Sequence, residues 1–284
     1  MPVSPQDSAS SKIKCAVTVS LVEEARQGPF VFHGDLERAC HKASELGFDA
    51  IELFAPSGDA IRQLPLKRIL QTCGLQFAAA GTGAGMLIHR LSLSDPDSQR
   101  RNTAVRFVES IIDAASEFGA PAIIGSMQGR WDANCDRTKT LRYLQESLRQ
   151  LSEHAAGRGT YLLFEPLNRY ESNLASTLQQ GRDVLNSVGS SNLRLLADLF
   201  HMNIEESSVE ESLRETGSAG LVGHVHFVDS SRQAAGRGHL NFRNIAESLH
   251  SFGYKGFLSA EAFPIPDSES AAAETIQTFR KFFS

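Results

Sequence analysis

Short apolar runs alternate with longer amphipathic stretches along almost the whole chain, and this rhythm constrains the fold more than any other feature of the sequence. The runs occupy residues 15–21, 49–54, 75–80, 121–126, 160–165, 193–198, 221–227 and 256–261. Each is brief and almost wholly apolar, as expected of a strand buried on both faces. In the stretches between them the apolar residues step by three and four. Over 99–118, for example, Val105, Val108, Ile111, Ile112 and Ala115 define one helical face. Helices are expected over 36–46, 62–73, 99–118, 138–156, 178–188, 209–215, 242–252 and 271–283. Asp35 stands where a helix N-cap is needed, and Gly47, Gly74, Gly119 and Gly253 stand where helices must reverse. Alternating strands and helices give a parallel sheet covered by helices. Eight such units in 284 residues match a single (β/α)8 TIM barrel, which needs about 250 residues before insertions.

The strand ends carry the chemistry. Of the last four runs, three finish in Phe164-Glu165, Ala197-Asp198 and Ala260-Glu261, and the seventh runs through Val225-His226 near its end. One carboxylate at a strand end is commonly a helix cap, and one histidine is commonly a satisfied core residue. Four ionisable residues at successive strand ends are a different matter, because a closed barrel brings those ends to one rim. Three carboxylates crowded together repel and raise one another's pKa. A divalent cation removes the repulsion, so Glu165, Asp198, His226 and Glu261 are expected to hold one. Three oxygens and one imidazole nitrogen suit Mn first, with Mg, Co, Zn and Fe also compatible. His224, two residues before His226, faces the same way along a strand and is the second-choice ligand, lying deeper in the barrel.

Polar residues flank the four. Asn168, Arg169 and Glu171 follow the fifth run, His201 follows the sixth and Arg232 follows the seventh. An isolated arginine in such a loop is a solvated charge by default. Gathered on one rim beside a metal, Arg169 and Arg232 read as groups that bind hydroxyls and carbonyls. Two long loops, 81–97 and 230–241, follow strands and therefore lie at the catalytic face, where they are expected to touch substrate.

Composition narrows the partners. A net charge of −5 and a pI near 6.0 argue against a nucleic-acid partner. No apolar run is long enough to cross a membrane. Cys15, Cys40, Cys73 and Cys135 form no C-x-x-C pair, a spacing that suits a reducing, cytoplasmic setting. Residues 1–12 are rich in Ser, Pro and Asp and are expected to form a disordered tail ahead of one barrel domain over 13–284.

Four segments resemble the sugar isomerase and epimerase superfamily with the xylose-isomerase-like barrel, and within it the ketose 3-epimerases of the D-tagatose and D-psicose type. They are E-P-L-N-R-Y-E at 165–171, D-L-F-H-M-N-I-E-E at 198–206, G-H-V-H-F-V-D-S-S-R-Q-A-A-G-R-G at 223–238 and G-F-L-S-A-E at 256–261. The resemblance implies that Glu165, Asp198, His226 and Glu261 are metal ligands and that Glu165 and Glu261 are also the catalytic acid/base pair. It implies that Glu171, His201 and Arg232 hold the oxygens of a small sugar or polyol. The reaction it implies is proton transfer through a metal-stabilised enediolate. Relatives sharing this barrel act on inososes or hydroxypyruvate. An apurinic-site endonuclease fits less well, since the ends of strands three and four offer no histidine, and a non-catalytic sugar-binding barrel would not need an intact ligand set. The chain departs from the epimerase pattern at Val228-Asp229-Ser230-Ser231, at Arg232-Gln233 and at Asn241, which stands where an acidic residue is common. These departures leave the four ligand types in place. A homo-oligomer is compatible with the resemblance.

Overall fold

The computed structural model of the protein describes residues 12–133 and 135–283. Nine strands occur among them: β1 (Lys14–Ser20), β2 (Phe32–His33), β3 (Ala50–Phe54), β4 (Gln76–Gly81), β5 (Ala122–Ile124), β6 (Leu162–Phe164), β7 (Leu193–Asp198), β8 (Val222–His226) and β9 (Phe257–Ala260). All pair in parallel in the order β2-β1-β3-β4-β5-β6-β7-β8-β9, and β1 also pairs with β9 through Lys14↔Phe257 to Val17↔Ala260. That last pairing closes eight strands into a TIM barrel, with β2 as a two-residue appendage on β1 through Val19↔Phe32. The eight barrel strands coincide with the eight apolar runs.

The main core lies between the strands and the surrounding helices, where Phe164, Phe227, Ile51, Leu53, Ile111 and Leu144 are fully buried. A second layer fills the barrel. Ala79, Ile123, Leu163 and Leu196 pack together, and by the two-residue alternation of a strand Leu163 and Leu196 share the face of Glu165 and Asp198. An apolar plug thus underlies the ionisable strand ends.

Local sequence explains the helices. Asp35 accepts a hydrogen bond from the Arg38 backbone N–H at 3.0 Å and starts the helix Leu36–Leu46, which ends at Gly47 with φ 89°, a left-handed turn that costs a glycine little. The helix expected over 62–73 is instead two, Gly58–Gln63 and Leu66–Cys73. Pro65 lacks an N–H and holds the residue before it in extended backbone, so one helix cannot run through; Leu64 has ψ 143°. The long loop over 81–97 contains the helix Ala84–His89. The expected tail, apart from Lys12, lies outside the described residues. The four cysteines are buried and unpaired, and among the described residues no helix is long and apolar enough to cross a membrane.

Candidate metal centre

His226 closes β8 and is almost fully buried. Its Nδ1 lies 3.0 Å from Asp198 Oδ2, 3.3 Å from Glu165 Oε1 and 3.6 Å from Glu261 Oε2. One ligand atom from each of the four lies within 4.8 Å of all the others. Asp198 ends β7, whereas Glu165 and Glu261 sit one residue beyond β6 and β9. The four residues singled out in the sequence therefore converge.

The set fits a divalent cation on two grounds. Three carboxylates with a neutral imidazole would carry three negative charges in a largely buried space, and Arg232, bonded to Glu261, offsets only one of them, so a cation is favoured there. Glu165 Oε1 is also buried with no hydrogen-bond partner, a costly state for a carboxylate oxygen unless something binds it. The electrostatics show the same demand. Burial opposes charge on His226, but Glu261, Glu52, Asp198 and Glu165 outweigh it and raise its pKa well above the usual imidazole range. Burial pushes the Glu261 carboxyl up; His226 and Arg232 oppose this, while Glu165 and Asp198 add to it, and the net direction is upward. Burial disfavours charge on Asp198 too, yet His201 and His226 prevail and hold it below the ordinary carboxylate range.

Asp198 combines the two roles that its position in the sequence allowed. Oδ1 accepts from the backbone N–H groups of Phe200 at 2.7 Å and His201 at 2.9 Å, capping the helix Leu199–Glu205. Oδ2 is left to face the cluster. Cap and ligand position belong to one side chain, and the helix it starts carries His201 into the site.

Glu52 is the residue that sequence reasoning missed. It lies inside β3, 4% exposed, and receives His224 Nε2 on Oε2 at 2.8 Å and His226 Nε2 on Oε1 at 3.2 Å. Burial disfavours its charge, but His226 and His224 more than compensate and keep its carboxyl well below the usual range. A carboxylate on the far nitrogen of a ligating histidine fixes the ring's orientation and leaves the near nitrogen's lone pair for the metal. His224 therefore belongs beneath the site with Glu52. The available signal was a charged residue within an apolar strand, since a buried charge needs partners.

Arg232 spans the rim. Its guanidinium donates from Nη1 to Glu171 Oε1 at 2.7 Å and from Nη2 to Glu261 Oε2 at 3.0 Å, and it lies over the Phe200 ring at 4.9 Å. Its backbone is left-handed at φ 57°, unusual for a residue with a side chain. Asp229 holds that conformation by knotting the loop: its carboxylate accepts from the backbone N–H groups of Ser230, Gly236 and Leu240, and its carbonyl accepts from Arg232 N–H. Arg237, in the same loop, is engaged with Glu274.

A cavity of about 380 Å³ opens on the cluster, within the range of small-molecule sites. The second half of the barrel contributes Glu165, Glu171, His201, His226, Arg232 and Glu261 to its lining. The first half contributes Phe30, Phe54, Leu87 and glycines 81 and 83. Phe30 stacks on Phe54 at 4.6 Å. The two long loops both reach the cavity, as expected. Gly125 at the end of β5 is required by the site, because a Cβ there would stand 2.5 Å from Glu165 Oε2.

One expectation fails. Arg169 does not line the cavity; it turns outward and clasps Glu205 with Nε at 2.8 Å and Nη2 at 3.0 Å. An acidic partner 36 positions away in sequence satisfies the guanidinium better than the rim does.

Comparison with known proteins agrees with this architecture. Residues 40–282 match the profile of the xylose isomerase-like TIM barrel family. The chain belongs to that family. It is 30% identical over 243 residues to a D-psicose 3-epimerase of Ruminiclostridium cellulolyticum, covering 82% of this chain and 80% of the relative. It is 31% identical over 236 residues to an L-ribulose 3-epimerase of Mesorhizobium japonicum, covering 81% and 76%. The crystal structure of D-psicose 3-epimerase with D-tagatose from Clostridium cellulolyticum H10 superposes with a TM-score of 0.78 over 96% of this chain and 100% of that one, at 23% identity.

Proposed function

We propose that the protein is a divalent-metal-dependent ketose 3-epimerase. The observation that carries this reading is the pairing of Glu165 and Glu261 in one metal-compatible cluster with Asp198 and His226, all ligand atoms within 4.8 Å of each other, in a family member about 30% identical to proteins named D-psicose and L-ribulose 3-epimerases.

Glu165, Asp198, His226 and Glu261 would hold the ion, with Mn the first choice and Mg, Co or Zn also compatible with the donors. A bound divalent cation supplies Lewis-acid polarisation of a carbonyl and neutralises charge that develops beside it. The residues supply the rest. Inverting a carbon needs one base to remove its proton and a second group to return a proton to the other face. Glu165 and Glu261, which both line the cavity, would be this pair, as the resemblance implies. Arg232, tied to Glu261 and Glu171, would steady a substrate oxygen and hold Glu261 in place. Glu171 and His201 would bind further hydroxyls. The Phe30–Phe54 stack and Leu87 offer an apolar wall to the sugar's C–H faces and help exclude water.

The experiment is proton exchange in heavy water, with metal-loaded protein and a panel of D-psicose, D-fructose, D-tagatose, L-ribulose and an inosose. The reading predicts deuterium at C3 of at least one ketose, with both C3 epimers at equilibrium. Exchange in the inosose alone, or in no ketose, refutes it.

A further inference from the structure

Asn168 was singled out in the sequence only as a polar neighbour, yet its amide has three partners that leave a single consistent reading. Its Oδ1 accepts from the Tyr170 backbone N–H at 2.9 Å, which sets which end of the amide is oxygen. Its Nδ2 therefore faces Glu171 Oε1 at 3.2 Å and His201 Nδ1 at 2.7 Å. An amide NH2 carries no lone pair to offer, so His201 Nδ1 must accept. The ring proton then resides on Nε2.

That nitrogen is conspicuous. His201 is 1% exposed and lines the cavity, and Nε2 is buried without a hydrogen-bond partner. Glu165 Oε1 lies 4.0 Å away, too far for a hydrogen bond, and that oxygen is itself buried without a hydrogen-bond partner, its contact to His226 Nδ1 being 3.3 Å. The N–H and the carboxylate oxygen thus border one gap. A buried donor without a partner is costly, and one aimed into a cavity is satisfied by a ligand oxygen.

We infer that Asn168 is a positioning residue that locks His201 as an Nε2–H donor, so that the hold proposed for His201 on a substrate oxygen depends on this amide. The inference takes its substrate from the ketose reading, but the state of the ring can be measured without any substrate. The donor also sets a polarity for the ligand: the group against His201 must be an acceptor, a carbonyl or hydroxyl oxygen. Asn168 further couples this donor to Glu171, because its second N–H holds the carboxylate that Arg232 clasps from the other side at 2.7 Å. One amide therefore aligns two of the groups proposed to grip substrate.

The test is long-range 1H–15N NMR of the full chain loaded with Mg2+, which is diamagnetic. The His201 signals are assigned by their loss in His201→Gln. In the wild type, Nε2 should show the shift of a protonated nitrogen and Nδ1 that of an unprotonated one. Asn168→Asp places an acceptor against Nδ1 and should move the proton to it; Asn168→Leu removes the bias and should give a mixture. In Asn168→Asp, kcat for the responding ketose should fall on the order of 10², the usual loss of one preorganised donor, with metal affinity by calorimetry unchanged. A wild-type ring protonated on Nδ1, or an Asn168→Asp protein still protonated on Nε2, overturns the inference. If the ring behaves as stated while no ketose exchanges a proton, the ketose reading fails and the assignment of the donor stands.

Discussion

The two halves of the barrel carry different burdens. In the second half, β6 to β9 end at or one residue before Glu165, Asp198, His226 and Glu261. In the first half, β1, β3, β4 and β5 end in Ser20, Phe54, Gly81 and Ile124, and none of these is a candidate ligand. The difference is one of chemistry against volume. Charged strand ends gather around one point, and opposite them Phe54 and Gly81 line the space a ligand needs. Gly81 and Gly83 make the division concrete: a Cβ on either would meet the Phe54 ring at 2.8 Å and 3.0 Å, so their lack of side chains admits the aromatic wall. Glu52 is the exception, a first-half residue that reaches across the barrel interior to His224 and His226.

The largest effect is expected from the two second-half carboxylates proposed to move protons. Glu165→Gln and Glu261→Gln should each lower kcat for epimerisation by about 10²–10⁴, while the protein stays folded by circular dichroism. Wild-type turnover in both would remove the chemistry from the second half and with it the contrast. A smaller effect is expected where the halves meet. Glu52→Gln substitutes an amide for the carboxylate that receives both histidines, and calorimetry should show metal affinity reduced by roughly 10–100-fold, as is typical when the partner of a ligating histidine is lost. Unchanged affinity would reduce the first half to a source of space. The smallest effect is expected just outside the rim. Arg169 points outward to Glu205, whose side chain is largely buried, and Arg169→Ala should leave kcat and KM near their wild-type values; a marked rise in KM would return it to the cavity.

The sequence made the barrel legible because burial on both faces turns each strand into a continuous apolar run, and such runs survive inspection without knowledge of tertiary contacts. The four convergent residues were legible because they break those runs at their ends. Other features depend on contacts that sequence order conceals. Glu52 breaks its run in the middle, where it is hidden between Ile51 and Leu53. The helix Leu199–Glu205 has only seven residues, too few for an amphipathic pattern to declare itself. The outward turn of Arg169 depends on Glu205, and the lock on His201 depends on Asn168, 33 positions away. Pro65 stands inside the single helix expected over 62–73, although a proline there prevents one helix from running through.

The central claim is that one divalent ion is held by the four strand-end residues, and Asp198 offers the cleanest test because its two oxygens have separable tasks. Asn is as good a helix cap as Asp, so Asp198→Asn keeps the bonds to Phe200 and His201 while removing the charge that faces His226. Metal content by elemental analysis after dialysis should be one ion per chain in the wild type and far below one in Asp198→Asn, with both proteins folded by circular dichroism. Full occupancy in Asp198→Asn, or no bound metal in the wild type, would contradict the assignment.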